Sequence, residues 1–251
     1  MTATTDIHFH LLPGMDDGPA TMEESLELAA AAVRDGCRTV VATPHVRGDF
    51  VTDVSDLPDR VREIQHAIDL AGIPLGVCRG AELGHDMVGR LSQDELRLIA
   101  LGPPGARWLL VETPFEGIDE DFTSATDELR DRGFGVVLAH PERGAGVLDG
   151  DCAAVKGELA HGSALQVNAS SLIGRHGEEP RTAATRLLLD RLATVLGSDA
   201  HSMSRAPALT NGLLSAVEIG LEPGVAAALV TSAPRRLLVR GIPVPAPALA
   251  A

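Results

Sequence analysis

Phe134-Gly135-Val136-Val137-Leu138-Ala139-His140-Pro141-Glu142-Arg143 decides how this chain is read. A short apolar run predicts a strand buried on both faces. This one stops abruptly on His140, Glu142 and Arg143, side chains that bind cations or carry charge. The same pattern recurs along the chain. Apolar runs near 6–9, 38–43, 73–81, 107–111, 163–167 and 193–197 each close on polar residues. The first closes on His8 and His10, and the second on Thr43-Pro44-His45. Gly80-Ala81-Glu82 closes the third and Glu112-Thr113-Pro114 the fourth. Beyond 134–139, Gln166-Val167-Asn168 and Ser198-Asp199-Ala200-His201 close the last two.

Helical stretches separate these runs. Thr21 with Glu24 three residues on is a capping box, and Gly36 ends that helix. A second helix begins near Asp56, carries Pro58 in its first turn and stops at Gly72. Others fit 119–132, 149–161, 180–190, 206–219 and 223–231. Seven β-α repeats predict an α/β fold with a parallel sheet, closed into a barrel or open and doubly wound. The open folds advertise themselves by phosphate-cradling glycine loops, G-x-G-x-x-G or G-x-x-x-x-G-K-[ST], and neither occurs here. The barrel is therefore expected, as a single domain over 1–241. The stretch 242–251, with Pro243, Pro245 and Pro247, is expected to be a flexible tail.

Composition narrows the function. The chain has 251 residues, 45% of them hydrophobic but only 2% aromatic, with no tyrosine, and a formal net charge of -14. Such a chain repels nucleic acid and anionic membranes at long range and has few rings for base stacking. No apolar run is long enough to insert in a membrane. Cys37, Cys78 and Cys152 are distant from one another and odd in number, which reads as reduced thiols in a cytoplasmic protein. Neither a Cys-x5-Arg loop nor a Gly-x-Ser-x-Gly elbow is present.

In a β/α barrel the active site is built at the C-terminal ends of the strands, which is where the candidate ligands fall. His8 and His10, two apart on a strand, share a face, as do Asp199 and His201. Imidazoles mixed with carboxylates suit zinc, manganese or iron better than calcium or magnesium. Five of the nine histidines (His8, His10, His45, His140, His201) lie at strand ends, whereas His66, His85, His161 and His176 do not. Glu82 and Glu112 each end an apolar strand, a costly place for a carboxylate without a cation. Asp16 and Asp17 precede Gly18; Asp-Gly is ordinarily a turn signal, and Asp16 by itself reads as one.

At these residues the chain resembles a known family. LPGMDDG, TMEESLELA, ATPH, GAEL, LVETPF, LAHPER, LQVNASSLIG and GSDAH occur in that order from Asp6 to about Arg205. They are similar to the manganese-dependent protein-tyrosine phosphatases of the bacterial polymerase-and-histidinol-phosphatase (PHP) superfamily, associated with capsule and exopolysaccharide synthesis. The resemblance implies a distorted seven-stranded TIM-like barrel, the PHP fold, holding three divalent metal ions. These would be manganese, with iron or zinc as alternatives. Carried over by motif, His8, His10, Glu82 and Asp199 would hold the first ion. Glu82, Glu112 and His140 would hold the second, and Asp17, His45 and His201 the third. Arg143 and Arg205 would contact the phosphate.

Two departures, Val46-Arg47-Gly48-Asp49-Phe50 after ATPH and Gly144 after HPER, bear on substrate preference. The implied chemistry is in-line attack by metal-bound hydroxide with no covalent phospho-enzyme, His45 or His201 serving as a possible leaving-group acid. The implied substrate is a phosphotyrosine protein, such as a bacterial tyrosine kinase of polysaccharide synthesis. A small-molecule phosphatase acting on histidinol phosphate and a non-catalytic metal-binding domain are the competing readings. A polymerase-associated exonuclease is disfavoured by the charge and the lack of aromatics.

Overall fold

The computed structural model describes residues 3–244; residues 1–2 and 245–251, including Pro245 and Pro247 of the expected tail, lie outside the described residues. The strands are β1 (Thr4–Phe9), β2 (Cys37–Ala42), β3 (His45–Val46), β4 (Gly76–Arg79) and β5 (Glu82–Gly84), followed by β6 (Trp108–Glu112), β7 (Gly135–Ala139), β8 (Ala164–Asn168) and β9 (Val195–Gly197). Every strand-to-strand pairing among the described residues is parallel.

The expectation of a parallel α/β arrangement therefore holds, but the pairing is not one continuous ladder. It forms two sheets, β1-β2-β4 and β3-β5-β6-β7-β8-β9. The break comes from Thr43-Pro44 and Gly80-Ala81. Proline has no amide hydrogen to donate, so the second run splits there and continues as the two-residue β3. The third run splits in parallel, into β4 and β5. Single hydrogen bonds cross the break: Thr43 N donates to Phe9 O (2.9 Å), Gly80 N to Ala42 O (3.0 Å) and Glu82 N to Pro44 O (3.0 Å). On the far side, Phe9 forms an isolated parallel bridge with Ala200. Asp199 N donates to His8 O (3.0 Å) and His10 N to Ala200 O (2.9 Å).

The helices follow their sequence signals. α1 (Met22–Arg34) is capped by the Thr21 side chain, which accepts from Glu24 N, but the Glu24 carboxylate accepts from Ala20 N rather than from the Thr21 amide. Gly36 leaves that helix in the left-handed region. α2 (Leu57–Leu70) starts at Asp56 with Pro58 in its first turn. α3 (Gln93–Ile99) has a full capping box between Ser92 and Glu95. α4 (Glu120–Asp131), α5 (Asp149–Ala160), α6 (Ala169–Leu172) and α7 (Glu178–Leu189) follow, then α8 (Leu209–Glu218), α9 (Pro223–Ala228) and α10 (Ser232–Arg240).

Both faces of the sheets are covered. In β6, Leu109 and Val111 join the main core while Trp108 and Leu110 join a smaller cluster with Ile7, Val41 and Val137. Full burial of such side chains stabilises by roughly 1.5–3 kcal/mol each. α10 closes the smaller cluster with Ala233 and Leu237, and Trp108 Nε1 donates to Leu237 O (2.9 Å). Ile242 N donates to Ala106 O (3.0 Å), and its side chain packs against this cluster. Trp108 is the first residue of β6, so α10 seals the N-terminal ends of the strands. The opposite, C-terminal ends carry the chemistry. No helix among the described residues is long and apolar enough to cross a membrane.

Candidate metal centre

The strand ends converge on one carboxylate. Glu82, fully buried as the first residue of β5, places Oε2 3.1 Å from His8 Nε2, 3.2 Å from His10 Nε2 and 3.1 Å from His45 Nδ1. Its other oxygen, Oε1, lies 2.8 Å from His140 Nε2. Asp199 turns Oδ1 toward the same group: 3.4 Å from His8 Nε2, 3.5 Å from His10 Nε2 and 3.5 Å from His201 Nδ1. Glu112 Oε2 is 3.7 Å from His45 Nδ1. Asp17 reaches in from the first loop, its Oδ1 3.1 Å from His201 Nε2 and 3.5 Å from His45 Nε2. All nine candidate ligands thus form one connected cluster. All are buried except Asp17, whose side chain is 44% exposed.

Three groups of donor atoms lie within 4.8 Å of one another: His8, His10, Glu82 and Asp199; His10, Asp17, His45 and His201; and His45, Glu82 and Glu112. The first is the set expected for the first ion. The second contains the third expected set and adds His10. In the last, His45 stands with Glu82 and Glu112 where His140 was expected, and His140 joins through Glu82 Oε1 at 2.8 Å.

The donor set fits divalent cations. Glu82 Oε2, His45 Nδ1 and His201 Nε2 are buried without a hydrogen-bond partner among the described residues, an arrangement costly for polar atoms unless an ion binds there. The electrostatics agree. Burial opposes charge on His8 and His10, yet the facing acids outweigh it and push them up to about 9 and about 10. Burial wins at His45, lowered to about 4. It raises Glu112, which also faces Glu82. Glu82, despite burial, is held well below the usual carboxylate range by His8 and His45.

Two of the candidate ligands sit on strained backbone. His140 (φ 36°) and Asp199 (φ 53°) both occupy the left-handed region that β-carbon-bearing residues avoid. Such outliers concentrate at functional sites. Both turn the chain sharply as it leaves a strand.

A second layer, not foreseen from the sequence, fixes the imidazoles. His10 Nδ1 lies 2.7 Å from Asp16 Oδ2, which also accepts from His45 N (2.9 Å), while Asp16 Oδ1 accepts from Gly18 N (2.9 Å). Asp16 is therefore more than a turn former. Gly18 is needed there because a β-carbon would come within 2.8 Å of Asp16 Oδ1 and 3.1 Å of His10. His8 Nδ1 lies 2.9 Å from Gln166 Oε1, and Gln166 donates to Asn168 Oδ1 (2.8 Å). Asn168 donates in turn to Asp199 Oδ2 (2.8 Å). Glu142, buried, accepts from Asn168 N (2.9 Å) and Ser171 Oγ (2.7 Å), and Ser171 meets His176 Nδ1 (2.9 Å). Removing such supporting groups usually weakens metal affinity by about 10–100-fold. Asp16→Ala is expected to fall in that range when manganese is titrated into the metal-free protein; an unaltered Kd would return Asp16 to a turn role.

The two expected phosphate-binding arginines share a neighbour. Arg143 Nη1 donates to Asp199 Oδ2 (3.0 Å), and Arg205 Nη2 lies 3.5 Å from the same oxygen while its Nη1 donates to Asp17 Oδ2 (3.1 Å). Arg47, from the departure after ATPH, donates to Glu112 Oε2 (2.8 Å). At the second departure, a β-carbon on Gly144 would meet Pro114 O at 3.0 Å, so little room exists for a larger residue. Cys37 and Cys152 are buried, Cys78 is half-buried, and all three are free thiols. Burial pushes Cys37 up to about 12.

Comparison with known proteins bears on this centre. The model of the family described as capsular polysaccharide synthesis, CpsB/CapC, matches residues 4–239. The tyrosine-protein phosphatase YwqE of Bacillus subtilis is 31% identical over 199 residues, 79% of this chain and 77% of that one. A putative tyrosine-protein phosphatase, CapC of Staphylococcus aureus, is 28% identical over 84% of this chain and 82% of its own. Among solved structures, one described under YwqE from Bacillus subtilis and CpsB from Streptococcus pneumoniae, metal-dependent tyrosine phosphatases, superposes with a TM-score of 0.81. It has 27% identity and covers 98% of this chain and 100% of that one. The phosphotriesterase homology protein of Escherichia coli superposes with a TM-score of 0.60 at 15% identity over 94% and 98% of the two chains, a likeness of fold alone.

Proposed function

The chain belongs to the capsular polysaccharide synthesis family CpsB/CapC, and from that premise we propose that it is a metal-dependent protein-tyrosine phosphatase. The observation that carries the reading is the meeting of four imidazoles on the two oxygens of Glu82. His8, His10, Glu82 and Asp199 would hold one ion, Glu82, Glu112 and His140 a second, and Asp17, His45 and His201 a third, with manganese the expected metal. Bound there, the ions supply positive charge against the phosphoryl dianion and activate water near neutral pH. The protein's own groups do the rest. Arg143 and Arg205 would donate to equatorial phosphoryl oxygens as planar guanidinium forks. His45 or His201 would be the protein group that passes a proton to the departing phenolate oxygen.

We read the two sheets as one distorted (β/α)7 barrel. The bonds across Thr43, Gly80 and Glu82, and those from β1 to the residues after β9, support closure. The barrel would be a single domain over 1–241, with a tail beyond it. The proposed substrate is a phosphotyrosine protein, such as a tyrosine kinase acting in polysaccharide synthesis. The proposed setting is the cytoplasm, which the free thiols suit. Exhaustive chelation is expected to abolish turnover of a phosphotyrosine peptide, with Mn²⁺ restoring it better than Mg²⁺. Turnover indifferent to chelators would remove the assignment, and higher kcat/KM on histidinol phosphate than on the peptide would replace the substrate.

A further inference from the structure

The chain has five phenylalanines and one tryptophan. Phe9, Phe122, Phe134 and Trp108 are buried, while Phe50 and Phe115 are 37% and 47% exposed. This exposed pair is not scattered. The Phe50 ring stacks on His45, with centroids 5.1 Å apart and planes 16° from parallel. The Phe115 ring lies 6.4 Å from His140, with planes 13° from parallel. An arginine sits over each: Arg47 Cζ 5.2 Å from the Phe50 centroid, and Arg143 Cζ 4.8 Å from that of Phe115. His45 and His140 touch opposite oxygens of Glu82. The two ring-arginine pairs therefore approach the ligand cluster from two sides.

A phosphate seated at the cluster would carry its leaving group outward from the histidines on which these rings stack. A flat aryl group there gains offset or edge contacts that an alkyl chain does not. The guanidinium over each ring fixes its attitude without covering the mouth-facing side chain from solvent. Phe115 and Arg143 also line a cleft of about 620 Å³ with Leu148 and Glu178, which gives room for residues flanking a phosphorylated side chain. We infer that Phe50 and Phe115 are specificity-determining residues that receive the substrate's aromatic ring and make the site prefer aryl over alkyl phosphate monoesters. The inference rests on the phosphatase reading above and adds the group that selects among its substrates.

The test compares manganese-loaded wild type with Phe50→Leu, Phe115→Leu and the double variant. The readout is the ratio of kcat/KM for a phosphotyrosine peptide to that for glycerol 2-phosphate. The intrinsic difference between the leaving groups is common to all four proteins and cancels. Each single substitution is expected to lower the ratio by about 3- to 10-fold, chiefly through KM for the peptide. A calorimetric Kd for benzylphosphonate relative to methylphosphonate is expected to shift the same way, with metal content by elemental analysis held at the wild-type value. Equal losses on both substrates, or a ratio that does not move, overturn the inference, as does a fall in metal content large enough to account for the loss. Wild type without turnover of the peptide overturns the phosphatase reading instead, and the phosphonate comparison then decides the ring contact alone.

Discussion

Glu82→Gln is expected to lose bound metal and about three orders of magnitude or more of kcat/KM on a phosphotyrosine peptide. The substitution keeps size and shape but replaces an anion with a neutral amide. Oε2 is shared by His8, His10 and His45 within 3.2 Å, and Oε1 faces His140 at 2.8 Å. An amide can accept at one atom only, and its NH₂ group is a donor pointed at nitrogen ligands that must themselves present lone pairs to a cation. Several kcal/mol of charge stabilisation would vanish at once, and about 4 kcal/mol corresponds to roughly a thousandfold in rate. Elemental analysis together with circular dichroism would check the result. A folded variant with full metal content and more than a tenth of wild-type activity would show that Glu82 is not central.

Arg143→Ala should behave differently, keeping metal while kcat falls about 10²–10³-fold, the usual cost of deleting one preorganised donor to a transition state. The expectation of retained metal follows from which oxygen the arginine holds. Arg143 donates to Asp199 Oδ2, and that oxygen keeps a donor in Asn168 Nδ2 at 2.8 Å. The imidazoles of His8, His10 and His201 face the other oxygen, Oδ1. Arg143→Lys should recover only part of the rate, because an ammonium restores charge without the planar fork. Full activity in the alanine variant would take Arg143 out of the chemistry, whereas loss of metal would recast it as support for Asp199.

Much of this site was legible in the sequence because strand ends in β/α proteins are predictable from short apolar runs. His8, His10, His45, Glu82, Glu112, His140, Asp199 and His201 fall on one rim from the sequence alone, and the structure brings them together. Three things were not legible. β3 and β5 have two and three residues, too few for any periodicity, so the division of the strands into two sheets left no trace beyond Pro44. The roles of Gln166 and Asn168 depend on partners far away in the chain: His8 and Gln166 are 158 positions apart, Asn168 and Asp199 31. Asp16 offered only a turn signal. Left-handed backbone at His140 and Asp199 ran against their ordinary preferences, since nothing in a residue's identity announces a conformation imposed by its surroundings. α3 was the opposite case, its Ser92-Glu95 capping box written plainly but unread between two stronger helices.

The bridge from Phe9 to Ala200 sets an order of events during synthesis. His8 and His10 gain their partners Asp199 and His201 only after almost two hundred further residues have been made. A donor cluster that draws on both ends of this span is complete only at the last stage of folding.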